Sequence, residues 1–217
     1  MINLGIVDIR DFFNSRNGRA VRDYSKFEYL QKRFIDYTVS TLLLVTLIVP
    51  IIYVIFRIRR ESPGPIFFKQ SRVGLNGRVF TCYKFRSMHV NSKFNPYTED
   101  GDSRIFPIGN IMRKSRLDEV PQLLNVLKGD MHIVGPRAEW DILVKEYEKV
   151  IPNYNYRHVV RPGITGLAQV KYPYGRGVTD AKNKLKYDIY YIKNWSIWLE
   201  LKILFDTIAT VIGKKGV

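Results

Sequence analysis

Internal disulfides are closed to this chain, because its 217 residues include one cysteine. Cys82 sits in RVFTCYKF, which reads as a strand, where a lone thiol is usually inert packing. Histidine is nearly as scarce: His89, His132 and His158 lack paired ligand spacing, so a zinc site is not expected and each reads as a surface or core residue. There is no internal repeat, no low-complexity tract, no P-loop and no GxGxxG fingerprint, and nothing indicates secretion. Acidic residues are also in deficit, 20 Asp and Glu against 35 Lys and Arg. The resulting +15 should attract nucleic acid, anionic lipid or phosphorylated substrates. Nucleic acid is the weakest of these, since aromatics do not interleave the basic residues as stacking platforms. With 46% hydrophobic residues, the chain can form one domain with a real core plus appendages.

What is present begins with a mixed polar arm, residues 1–31, carrying a short helix around Lys26 to Gln31. Residues 32–60 differ in character. From Phe34 to Phe56 the one charge is Asp36, and at ~1.5 Å per residue a helix here spans about 34 Å, enough for a bilayer core of ~30 Å. Basic residues flank both ends, Lys32 and Arg33 before and Arg57, Arg59 and Arg60 after, so the positive-inside rule returns a tie. Pro50 frees the carbonyl of Thr46 and should kink or break the helix. A plain spanning helix with a tolerated proline, a helix that dips and returns to the same face, and a buried soluble helix all remain open at this point.

Residues 61–217 read as one folded unit. Alternation around Asn76-Gly77 in IFFKQSRVGLNGRVFTCYKFRSM predicts a β-hairpin, with Lys84, Arg86 and Arg72 at its open end or on one face. Residues 91–104 read as a polar loop, and Ile111 to Leu127 as helical but interrupted by Pro121, with a helix starting near Glu119 or Val120. GDMHIVGPR predicts a short strand and turn, AEWDILVKEYEKV an amphipathic helix, and RPGITGLAQV a Gly-rich loop leading into a strand. Apolar residues recur at helical spacing over about thirty residues from KNKLKYD to the C-terminal VIG, with aromatics in the middle, as in a helix at a membrane interface or a core helix of a soluble domain.

In SRLDEVPQ, Asp118 and Glu119 stand side by side among Arg113, Lys114 and Arg116. Two carboxylates at a helix N-terminus suit a Mg²⁺ that also grips a diphosphate, with guanidiniums on the remaining phosphate oxygens. A carboxylate can also attack phosphorus. Alone, the pair is as well explained by ion pairs with Arg113 and Arg116. Arg137 in GPR and Arg161 and Thr165 in RPGITG offer cations, a hydroxyl and backbone N–H groups that glycine lets a phosphate approach.

In combination, KRFIDY, ESPGPIFFKQSRVG, YKFRSM, MRKSRLDEVPQLLNVLKGDM, VGPRAE, RPGITGLAQV and KYDIYYIKNWSIWLELKI resemble the bacterial sugar transferases, the monotopic phosphoglycosyl transferases, from Lys32 to Ile212. The resemblance implies an α+β, membrane-associated enzyme on the cytoplasmic face of the bacterial inner membrane. Its membrane helix would be re-entrant, broken near Pro50, and its C-terminal helices interfacial. The implied reaction moves a sugar 1-phosphate from a UDP-sugar to a polyprenyl phosphate with release of UMP. Asp118 would be the nucleophile, and Glu119 would help it hold Mg²⁺. Lys84, Arg86, Arg113, Arg137, Arg161 and Thr165 would bind phosphate or nucleotide, with Asp188 and Pro50 in support. The chain departs from the family pattern at Val49, Arg116 and Ala138, where serine, serine and proline are usual; none of these removes a catalytic group. It is expected to be a minimal catalytic form or a piece of something longer. The competing expectation is a non-catalytic basic scaffold that grips anionic membrane lipids.

Overall fold

The computed structural model describes residues 25–90, 92, 101–173, 175 and 177–213. Most of the expected N-terminal arm, most of the 91–104 loop and residues 174 and 176 lie outside them.

The short helix expected around Lys26 to Gln31 is the start of the first described element. Helix α1, Lys26–Thr46, runs without interruption from the arm into the apolar segment. Ser25 and Glu28 cap it reciprocally: Glu28 N donates to Ser25 Oγ at 3.2 Å and Ser25 N to Glu28 Oε2 at 2.9 Å. This capping box starts the helix where hydropathy gives no signal. α1 ends at Thr46, and after Leu47 helix α2, Ile48–Glu61, leaves at a bend of 63°. Pro50 lies in the first turn of α2, where its missing N–H strips a partner from the Thr46 carbonyl. The Thr46 hydroxyl donates back to Leu42 O at 2.8 Å, a bond that favours bending. Among the described residues no single helix is long and apolar enough to cross a membrane.

α1 is also inverted relative to an ordinary surface helix. Lys32, Asp36 and Ser40, spaced by four, are buried on one face, while Phe27, Leu30, Phe34, Leu42 and Val45 are exposed. The polar stripe is the one that meets the rest of the protein.

Strands β1, Phe67–Val73, and β2, Val79–Phe85, form the expected antiparallel hairpin, with Phe67 opposite Phe85 and Val73 opposite Val79. Asn76 and Gly77 take the left-handed conformation that closes it, at φ 53° and 76°. Helix α3, Pro107–Ser115, begins on a proline at its first position. A 3-10 turn, Leu117–Glu119, then separates α3 from α4, Gln122–Lys128. The interruption expected at Pro121 is present, and the second helix begins at Gln122 rather than near Glu119 or Val120, with Pro121 at its N-cap position. Strand β3, His132–Val134, pairs in parallel with β4, Gly163–Thr165; α5, Asp141–Val150, and a 3-10 segment, Tyr154–Val159, lie between them.

Two further expectations are corrected here. GIT, expected as a Gly-rich loop, is the strand, and LAQV, expected as the strand, begins helix α6, Leu167–Lys171. The long C-terminal helix is two, α7, Gly177–Lys193, and α8, Ile197–Ile212, because Ser196 caps α8 by accepting from Leu199 N at 3.2 Å while Trp195 turns into the core. The core joins Val126, Met131 and Val134 to Tyr191, Ile192 and Ile203; a separate cluster packs Val54 and Ile58 of α2 on Phe106 and Met112. The result is α+β, with helices around two two-stranded sheets among the described residues.

Candidate active site

Asp118 and Glu119 occupy the 3-10 turn between α3 and α4, and Arg116 at φ 60° makes the reversal out of α3. That left-handed position usually takes glycine. Both carboxylates are buried, beside a broad open cleft lined also by Arg72, Lys84, Arg113, Arg137, Arg157 and Thr165.

The two acids have different surroundings. Glu119 Oε1 accepts from Lys84 Nζ at 2.7 Å and from Arg137 Nη2 at 3.0 Å. Lys84 comes from β2 and Arg137 from the loop after β3, so three elements converge on one oxygen. Asp118 Oδ1 is buried with no hydrogen-bond partner among the described residues. Burial pushes the Asp118 carboxyl above the usual aspartate range, aided by the Glu119 charge and opposed by Lys84, Arg113 and Arg116. Burial acts the same way on Glu119, but Lys84, Arg137 and Arg116 outweigh it and hold that carboxyl well below its ordinary value. An orphaned buried carboxylate is costly unless something else binds it.

The remaining sequence-predicted residues divide. Arg113 reaches the cleft from the end of α3, its Nε donating to Ser87 Oγ at 2.9 Å. The buried Arg86 guanidinium is committed to the turn after α2: it donates to Ser62 Oγ and Pro65 O, both at 2.6 Å, and to the Ser62 carbonyl. Thr165 lines the cleft, its Oγ1 2.7 Å from that of Thr207. Arg161 is not brought to the cleft; its Nε donates to Gly129 O at 2.8 Å and its guanidinium covers Tyr29. Asp188 sits behind the site and accepts from Arg157 Nε at 2.9 Å; Arg157 Nη2 in turn donates to Arg137 O at 2.9 Å. Asp188 therefore positions Arg137 through Arg157, a residue with no mark in the sequence because its partners lie 20 and 31 positions away.

The glycines of GPR and RPGITG have a different use from the one expected. A Cβ on Gly163 would fall 2.1 Å from Gly135 N, and one on Gly166 2.1 Å from Gly135 O. The close approach they permit is between the two loops, which fixes Arg137 against β4.

The donor set fits a Mg²⁺. Among the described residues no group of three or more carboxylate, histidine or cysteine side chains gathers, but two carboxylates, one with an unpartnered buried oxygen, match an ion that keeps waters and takes the rest of its oxygens from phosphate.

The chain is similar to known proteins over most of its length. A family model described as bacterial sugar transferase matches residues 27–214. A UDP-N-acetylgalactosamine-undecaprenyl-phosphate N-acetylgalactosaminephosphotransferase of Aeromonas hydrophila is 48% identical over 161 residues, 73% of this chain and 38% of that protein. A UDP-glucose:undecaprenyl-phosphate glucose-1-phosphate transferase of Xanthomonas campestris is 39% identical over 207 residues, 93% of this chain and 42% of that protein. The chain thus spans well under half the length of these two relatives. A sugar transferase of Bacillus subtilis, 41% identical over 192 residues, is matched over 86% of this chain and 89% of its own length. With its buried acidic pair, converging cations and nearly full-length family match, the chain belongs to the bacterial sugar transferase family.

Proposed function

We propose that this protein transfers a sugar 1-phosphate from a UDP-sugar to undecaprenyl phosphate at a membrane surface, through a phosphosugar carried on Asp118. The observation that carries this reading is the contrast within the acidic pair: Glu119 is held by two cations, whereas Asp118 is buried with an oxygen that nothing among the described residues satisfies. The relatives' names supply the reactant classes, UDP-sugar donors and an undecaprenyl-phosphate acceptor.

An Asp118 oxygen attacks the donor's β-phosphorus, forming an acyl phosphate as the bond to the bridging oxygen breaks and UMP leaves. A phosphate oxygen of the acceptor then attacks the same phosphorus, the acyl phosphate bond breaks, and the carboxylate is restored. Lys84 keeps Glu119 ionised beside the reacting centre, and Arg113 and Arg137 offer donors to the phosphate oxygens. A Mg²⁺ held by Asp118 and Glu119 would supply neutralisation of diphosphate charge. Leaving-group and acceptor phosphates compete for one cationic cleft, which favours alternation of the two half-reactions over simultaneous binding. The relatives differ in the sugar they are named for, so the proposal extends to the UDP-sugar class.

The membrane part of the proposal rests on the inverted α1 and its bend. An apolar face turned outward, with the polar stripe inward, suits a helix whose outer surroundings are lipid. The 63° bend suits a dip that returns to the cytoplasmic face.

The test is UMP release from a panel of UDP-sugars with undecaprenyl phosphate in nanodiscs. Wild-type protein should also retain label from a β-³²P-labelled UDP-sugar when the acceptor is omitted. Asp118→Asn should lose that label and fall at least about a thousandfold in turnover, with an unchanged melting profile. Full labelling in that variant would sink the nucleophile assignment.

A further inference from the structure

Arg72 has no part in the chemistry described so far, and its surroundings suggest one. It sits near the end of β1, beside the loop that carries Arg137: the Arg72 backbone pairs with Trp140, and Val73 N donates to Glu139 O at 3.1 Å. The Arg72 and Arg137 side chains both line the cleft. Arg72 Nη1 donates to Ala138 O at 2.6 Å, and its nearest carboxylate oxygen, on Glu139, is 3.9 Å away. Among the described residues neither Nε, which is fully buried, nor Nη2 has an acceptor. Glu139 does not balance Arg72 alone, because its charge also acts on Arg137 and Arg157. Two guanidiniums thus press on each other with one side chain largely desolvated, an arrangement that costs stability unless an anion joins them.

The order of groups gives that anion a place. Arg113 and Lys84 act on Asp118, Lys84 and Arg137 share Glu119, and Arg72 and Arg137 share Glu139. Arg72 therefore belongs to the part of the cleft formed by Arg137 and the Ala138–Trp140 loop. When Asp118 meets one phosphorus of a diphosphate in this cleft, the neighbouring phosphate is the anion left for cations that do not act on Asp118. Resting on the reaction proposed above, we infer that Arg72 and Arg137 clamp the phosphate that departs with the nucleotide, making Arg72 a binding residue for the leaving group.

The experiment compares UMP with uridine by calorimetric titration of the full chain in nanodiscs, using wild type, Arg72→Lys and Arg72→Gln. Uridine lacks the phosphate, so the ratio of the two affinities reads the clamp, and a general distortion of the site would weaken both ligands alike. Loss of charge-assisted hydrogen bonds should cost Arg72→Gln about tenfold or more in UMP affinity with uridine unchanged. Arg72→Lys keeps the charge but not the planar fork, so its loss should be smaller and in the same direction. Equal loss for both ligands, or no loss for either, overturns the inference. Wild-type protein that binds no UMP and turns over no UDP-sugar overturns the reaction itself; turnover with an unaffected UMP-to-uridine ratio overturns only the role of Arg72.

Discussion

Asp118 and Glu119 are adjacent in sequence yet differ in what they touch, and the histidines show the same dependence on surroundings that a sequence does not display. The acidic pair was visible because it is adjacent in sequence and has Arg113 and Arg116 within five positions, whereas the cations that hold Glu119, Lys84 and Arg137, lie 35 and 18 positions away. His132 and His158 read only as surface or core residues, and both are buried. For His132, burial outweighs the hydrogen bond to Asp36, whose Oδ2 lies 2.6 Å from Nδ1, and holds the imidazole down to about 4. For His158, burial and then the Arg157 charge hold it down to about 3. An unfolded histidine titrates near ~6.5. Each therefore contributes stability that is fully present above about pH 6.5 and is lost as pH falls through that value towards the folded one, because the unfolded chain binds the extra proton. Between pH 7 and pH 5 the expected loss is roughly 2 kcal/mol per histidine. Comparing unfolding midpoints in detergent at the two pH values for wild type and for His132→Asn/His158→Gln isolates this contribution from that of the carboxylates. The variant should show the flatter profile; equal slopes would show that neither histidine is held neutral.

Helix α1 shows where sequence reading stops at the level of elements. The hairpin strands, their turn and the apolar segment were legible because each is marked by local periodicity or by Asn-Gly and proline chemistry, whereas the three-residue β4 was too short to show a period. Lys32 read as one of two basic charges flanking the start of the apolar segment, but it is 1% exposed and belongs to the core. Its Nζ donates to Glu200 Oε1 at 2.5 Å, to Tyr191 Oη at 2.8 Å and to Val134 O at 3.2 Å, while Trp195 Nε1 donates to Glu200 Oε2 at 2.7 Å. Glu200 lies 168 positions from Lys32, and no spacing rule reaches that far. The network ties α1 to β3, α7 and α8, so the apolar segment leaves the domain from a fixed base. Removing either charge leaves the other buried and unpaired. Glu200→Leu and Lys32→Met should each cost about 3–5 kcal/mol. The double variant should cost less than their sum by about 2 kcal/mol, since it leaves no isolated charge. A double-mutant cycle by chemical denaturation reads this directly; strictly additive losses would mean the pair is not coupled.

For the whole molecule, the arrangement of charge and apolar surface determines how it would sit on a bilayer. The burial of Lys32 removes it from the count of flanking charges, leaving Lys26 and Arg33 before the apolar segment and Arg57, Arg59 and Arg60 after it, so both ends still favour the cytoplasm. The exposed apolar side chains of α2, including Val49, Ile52 and Phe56, and of α8, including Trp198, Phe205 and Ile208, add to the outward face of α1. The two apolar limbs, Tyr37–Thr46 and Ile48–Phe56, are each about 15 Å long at ~1.5 Å per residue. Sharing the 63° bend equally, each would descend only about 8 Å before the chain returned, far less than a core of ~30 Å and close to the ~5–10 Å of helices lying in the interface. Cysteines at the exposed positions Lys26 and Arg60 test this, in a Cys82→Ser background although Cys82 is itself buried. With a membrane-impermeant maleimide, both cysteines should label in inverted vesicles and neither in intact spheroplasts. A dip brings both flanks to one side, whereas a span separates them, so labelling of one site from each side would replace the re-entrant geometry with a crossing.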